Sequence, residues 1–89
     1  MPAELGHRHR DTLDKVFGHA SSGNIEWRQV LSLLTALGAV HREHNGKIEV
    51  TLGSETEILR PPRGKNIEEQ TLVDLRRMLT NAGFAPRRN

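Results

Sequence analysis

The stretch EHNGKIEVTLGSETEILRPPRGK, Glu43–Lys65, decides the fold. Ile48, Val50 and Leu52 alternate with Lys47, Glu49 and Thr51, the period-two pattern of a strand with one buried face. Asn45-Gly46 just before it is a hairpin signal. Two loop lengths compete. A loop of Asn45-Gly46 alone sets Glu43 against Ile48 and His41 against Val50, with polar groups on the apolar face. A loop of His44-Asn45-Gly46, with Gly46 left-handed, brings Val40 onto the face of Ile48, Val50 and Leu52 instead. The longer loop agrees with burial and is the one expected. For the same reason Gly53-Ser54-Glu55 is expected to form the second loop. Ile58 then opposes Val50, and Leu59 is left on the open face or at its edge. Pro61-Pro62 ends the third strand, since proline cannot donate to a ladder. Arg63-Gly64-Lys65-Asn66 follows as an exposed loop.

Upstream, Asn24 reads as an N-cap, with Glu26 in the first turn, where negative charge suits the helix dipole. Trp27, Val30, Leu31, Leu34 and Leu37 form the apolar stripe of a helix ending at Leu37, and Leu33 widens it. Gly38 stands where a C-terminal left-handed glycine belongs. A shorter helix is expected over residues 10–18, where Leu13, Val16 and Phe17 share a face and Gly18 ends it. Downstream, a helix runs from about Glu68 to Asn81 on Leu72, Leu75, Leu79 and Ala82, with Val73 and Met78 flanking. Gly83 caps it and Phe84 packs back beneath. The chain divides into a lead-in (1–9), a short helix and linker (10–23), the main domain (24–85) and a basic tail (86–89). The fold class is α+β. A three-stranded antiparallel sheet is covered on one face by helices, in the order α-α-β-β-β-α, as a two-layer sandwich.

Composition sets the limits. The 89 residues suffice for one domain with one modest core. There is no Cys, so disulfides and thiolate metal sites are excluded. No apolar run approaches the ~18 residues of a membrane span, and the N-terminus lacks the apolar core of a signal peptide. The expected location is the cytoplasm. The net charge is +2 with His neutral, which permits nucleic-acid binding without requiring it.

In order and spacing, NIEWRQVLSLLTALGA, NGKIEVTLG, ILRPPRGK and TLVDLRRMLTNAGF resemble the HicA (YcfA-like) toxins of bacterial toxin–antitoxin systems. The resemblance covers Asn24–Phe84. It implies a fold similar to a double-stranded RNA-binding domain, a ribosome-independent mRNA endoribonuclease activity needing no cofactor, and neutralisation by a HicB-type antitoxin. The expected partners are mRNA or structured RNA and that antitoxin. One departure matters. The family reads Gly-Ser-His at the start of its second strand, and the His is catalytic; this chain reads Gly46-Lys47-Ile48. A second common family His falls where this chain has Pro61-Pro62. No catalytic residue carries over.

Cleavage by 2′-hydroxyl attack needs a base near the 2′-OH and a cation for the phosphate charge. His44 in the first hairpin loop, and less so His41 on the first strand, are the displaced-base candidates. Their plainer reading is as exposed polar residues. Lys47, Arg60, Arg63, Lys65, Arg76 and Arg77 are the candidate RNA-binding residues, against a plain reading as a solvated surface among Glu55, Glu57, Glu68 and Glu69. His7, His9 and His19 lack the partners for a metal set. With one Trp and two Phe, all at helix or element-end positions, the sheet has no base-stacking platform. Three readings stay open: an active interferase with a moved base, a HicA-like domain that binds RNA or antitoxin without cleaving, and a small protein-interaction module.

Overall fold

A computed structural model describes residues 6–18 and 22–84. The order is α1 (His7–Phe17), a 3₁₀ turn (Ser22–Asn24), α2 (Trp27–Leu37), β1 (Ala39–Arg42), β2 (Ile48–Leu52), β3 (Glu55–Leu59) and α3 (Glu69–Asn81). The strands form one antiparallel sheet in the order β1-β2-β3. Helix α2 covers β1 and β2, α3 covers β3, and α1 packs on both helices. The expected α+β architecture and element order are therefore found. No helix among the described residues is long and apolar enough to cross a membrane.

The first hairpin has the expected register. Val40 faces Val50 and Arg42 faces Ile48. Gly46 has φ 86°, and its N–H donates to Glu43 O at 3.0 Å while Glu43 N–H donates to Lys47 O at 2.9 Å. A three-residue loop with glycine in the left-handed position produces this arrangement.

The second hairpin departs from expectation. Its loop is Gly53-Ser54, so Leu52 faces Glu55, Val50 faces Glu57 and Ile48 faces Leu59. Ile58 faces Glu49 on the open side and is 46% exposed. Gly53 has φ 61° at the first loop position while Ser54 keeps a negative φ, as a type II′ turn requires. The gain is Leu59, which is buried beside Ile48. The drawback is two carboxylates on the helix side of the sheet, Glu55 and Glu57. Glu57 lies on the edge strand, where Arg77 of α3 donates to both its oxygens at 3.0 Å.

The core joins Val30, Leu33 and Leu34 of α2, Ile48, Val50 and Leu52 of β2, Leu59 of β3, and Leu72, Leu75, Met78 and Leu79 of α3. Each such side chain contributes about 1.5–3 kcal/mol relative to exposure. Met78 is fully buried, not flanking, and Val73 is 48% exposed. Val16 brings α1 into the same core, with Leu13 and Phe17 beside it. Helix α1 begins at His7, so His7–His9 belong to it and not to a lead-in; the expected tail at 86–89 and His19 lie outside the described residues.

Helix α2 starts two residues later than its Asn24 cap would imply. Glu26 is the N-cap and exchanges a capping box with Gln29. A short antiparallel bridge between Glu26 and Asn66 fixes this end. Trp27 N–H donates to Lys65 O and Ile67 N–H to Ile25 O, each at 2.9 Å. Ile25 and Ile67, neither singled out in the sequence, are buried by it. At the far end of α3, Phe84 N–H donates to Leu79 O and Gly83 N–H to Thr80 O, with Gly83 at φ 90°. This is a Schellman cap, with Phe84 packed against the core as expected.

Candidate nucleic-acid interface

The register determines where the cations gather. Because Arg42 faces Ile48 and Ile48 faces Leu59, the end of β1, the start of β2 and the end of β3 meet at one pole of the sheet. The Glu26–Asn66 bridge brings the starts of α2 and α3 to the same pole. Lys47, Arg60, Arg63 and Lys65 therefore converge there, although they span two separate loops. Arg42, at the end of β1, lies at the same end of the sheet, and Arg28, in the first turn of α2, lines a groove against α1. Sequence reasoning passed over both. The three-residue loop, once accepted, was the signal for Arg42, since it sets Arg42 level with Ile48. Arg28 had no such signal, because only the long-range bridge brings α2 against the 60–66 loop.

The pole carries both signs of charge, Glu26, Glu43, Glu68 and Glu69 among its cations. Lys65 Nζ lies 3.4 Å from Glu26 Oε2, with its side chain 72% exposed. Such a pair is worth about 0–1 kcal/mol and yields readily to a phosphate. Arg28, Arg42, Lys47, Arg60 and Arg63 make no ion pair among the described residues. Both helix starts carry carboxylates, Glu26 on α2 and Glu68 with Glu69 on α3. An anion at this pole is thus held by guanidinium and ammonium groups and not by helix amides, whose pull those carboxylates oppose.

Arg76 and Arg77 stand apart, in the C-terminal half of α3. Arg76 Nε donates to Val16 O at 2.6 Å and its Nη2 to Gly18 O at 3.5 Å, tying down the end of α1. Arg77 holds Glu57 and also lies 3.5 Å from Asp74. Arg76 thus bonds to α1, and Arg77 forms a half-exposed ion pair.

His44 is exposed in the first hairpin loop, and His41 is exposed on the open face opposite Glu49. With Arg42, Glu43 and Asn45 they border a shallow depression of about 420 Å³. His41 and Arg42, adjacent on β1, point to opposite faces of the sheet, so the depression sits at the strand edge with Glu43 among its lining. Ile48, standing where the HicA family has its histidine, is 2% exposed and faces the core. His7 and His9 lie on α1, and no group of three or more metal-ligating side chains exists among the described residues. Trp27 packs partly buried against the core, leaving Ala39, His41, Glu49, Thr51, Thr56 and Ile58 on the open sheet face, with no Phe, Tyr or Trp among them.

Compared with protein-family models, with curated proteins and with solved structures, the chain finds no match.

Proposed function

We propose that this chain is a HicA-like RNA-binding domain acting in the cytoplasm, the toxin-type partner of a toxin–antitoxin pair, which grips RNA phosphates at its basic pole. The carrying observation is the placement of Lys47, Arg60, Arg63 and Lys65 with Arg42 at one end of the sheet, only Lys65 of these being ion-paired among the described residues. The helix, three-strand, helix order over residues 27–81 supports the resemblance to a double-stranded RNA-binding domain, whose contacts are to phosphates and 2′-hydroxyls rather than to stacked bases. A HicB-type antitoxin would neutralise the pole with acidic groups. The test is RNA binding as a function of salt. Each phosphate contact on a single strand contributes about −0.7 to the slope of log K against log salt. The Arg60→Gln, Arg63→Gln double variant is expected to flatten the slope by about 1.4. A slope near zero in the wild type would reject the reading.

A second reading adds metal-independent cleavage, with His44 as the base and His41 beside it. It is favoured by the exposure of both imidazoles beside one shallow depression. RNA incubated with the protein in EDTA should be cut, and His44→Ala should abolish the cutting. Intact RNA with the wild type, still shifted on a native gel, leaves binding without chemistry.

A further inference from the structure

We infer that the groove between α1 and α2 is a second phosphate-binding site, which holds an RNA strand after it leaves the basic pole; this rests on the RNA-binding reading above. Helix α1 lies outside the stretch that resembles a known family, so nothing in that resemblance accounts for its charges. The groove has a volume of about 490 Å³, within the ~300–1,000 Å³ of ligand clefts. Arg8 and Lys15 of α1 and Arg28 of α2 line it. None of these side chains makes an ion pair among the described residues, although Asp11 and Asp14 border the same groove. Gln29, fixed by its capping bond to Glu26, adds an oriented amide to the wall.

The two carboxylates weaken the groove for a free anion. They matter less for a chain already anchored nearby, because tethering raises the effective concentration of the next phosphate. The anchor is close. Arg28 follows Trp27, whose N–H donates to Lys65 O at 2.9 Å, so the wall of the groove begins against the 60–65 loop. The backbone of Lys65 is bonded to the first turn of α2, which carries Arg28, and Lys15 and Arg8 line the same groove as Arg28. Guanidinium groups suit a phosphate site, since they take phosphate oxygens in pairs.

The test compares two labelled oligouridylates, one of about 5 nucleotides that the pole alone accommodates and one of about 20 that reaches beyond it. Binding is followed by fluorescence anisotropy across salt, with the full chain. The Arg8→Gln, Lys15→Gln variant should flatten the slope for the long oligonucleotide by about 1.4 and weaken it several-fold, with the short one unchanged. The Asp11→Asn, Asp14→Asn variant should tighten the long one several-fold. Far-UV circular dichroism checks that each variant is folded. If Arg8→Gln, Lys15→Gln leaves the long slope intact while Arg60→Gln, Arg63→Gln flattens both slopes, the pole stands and the groove falls. If the wild type binds neither oligonucleotide nor an RNA hairpin of about 16 base pairs, the RNA-binding reading itself falls and takes the groove with it. If a polyglutamate peptide binds instead, and loses binding in Arg8→Gln, Lys15→Gln, the groove belongs to an acidic protein segment and the inference is overturned.

Discussion

Replacing Gly38 by alanine tests the corner between α2 and β1. A Cβ built on Gly38 would sit 2.2 Å from Thr51 O and 2.7 Å from Leu52 Cδ2. An ordinary C···O approach is about 3.3–3.6 Å. Relief therefore needs a shift of about 1 Å, by the oxygen least free to give it. Thr51 is in the middle strand, paired with Ala39 on one side and Thr56 on the other. Leu52 can rotate its methyl away, but the backbone carbonyl cannot. Overpacking of this kind costs about 1–3 kcal/mol, and the rigidity of the obstacle puts the expectation at about 2–3. The lower backbone entropy of alanine in the unfolded chain returns only about 0.4–1 of that. Two glycines serve as comparisons. Gly64 has open space around it and no positive φ, so Gly64→Ala should be neutral or slightly stabilising. Gly46 also has open space but sits at φ 86°, so Gly46→Ala should cost about 1–2 kcal/mol from backbone conformation alone. Urea unfolding followed by Trp27 fluorescence orders the three. Gly38→Ala within about 0.5 kcal/mol of Gly64→Ala would refute the close-contact account.

Three further outcomes are expected. Arg76→Ala should destabilise by about 1.5–3 kcal/mol and raise hydrogen exchange selectively in α1, because its guanidinium holds two carbonyls at the end of that helix. Uniform exchange across the domain would contradict that anchoring role. Arg77→Ala, at a half-exposed ion pair, should change stability by no more than about 1 kcal/mol in the same urea assay. Ile48→His should fold poorly and grow less stable as pH falls. Burial would lower the imidazole pKa in the folded state below its unfolded value near 6.5, so the unfolded chain binds the extra proton and stability drops through and below about pH 6.5. Stability independent of pH between about 5 and 8 would mean that the side chain at 48 reaches solvent after all.

Much of this molecule is legible along the chain because local rules suffice for it. The stripes on α2 and α3 repeat at helical spacing, and their burial follows. The first hairpin is fixed by two signals that agree, Gly46 in a left-handed turn and an alternation that must keep Val40 with Val50. The Gly83 cap is similarly local. Lys47, Arg60, Arg63 and Lys65 could be singled out as exposed cations near turns, but their convergence is a property of the register and not of any one segment.

Sequence alone determined the α+β class, the element order and one of the two hairpin registers. The other register belonged to the tertiary structure. Glu55, Thr56, Glu57, Ile58 and Leu59 offer one apolar residue to each face, so alternation has no preference between them. The choice falls to α3, which buries Leu59 and supplies Arg77 to Glu57, both from beyond the strand. The same is true of Gly38, whose glycine is required by a carbonyl of β2 and not by its own φ of −162°, and of Arg76, whose guanidinium donates to a carbonyl of α1. Periodicity records which residues want burial or a turn. It carries no record of which distant group will arrive to occupy a face, crowd a glycine or engage a charge.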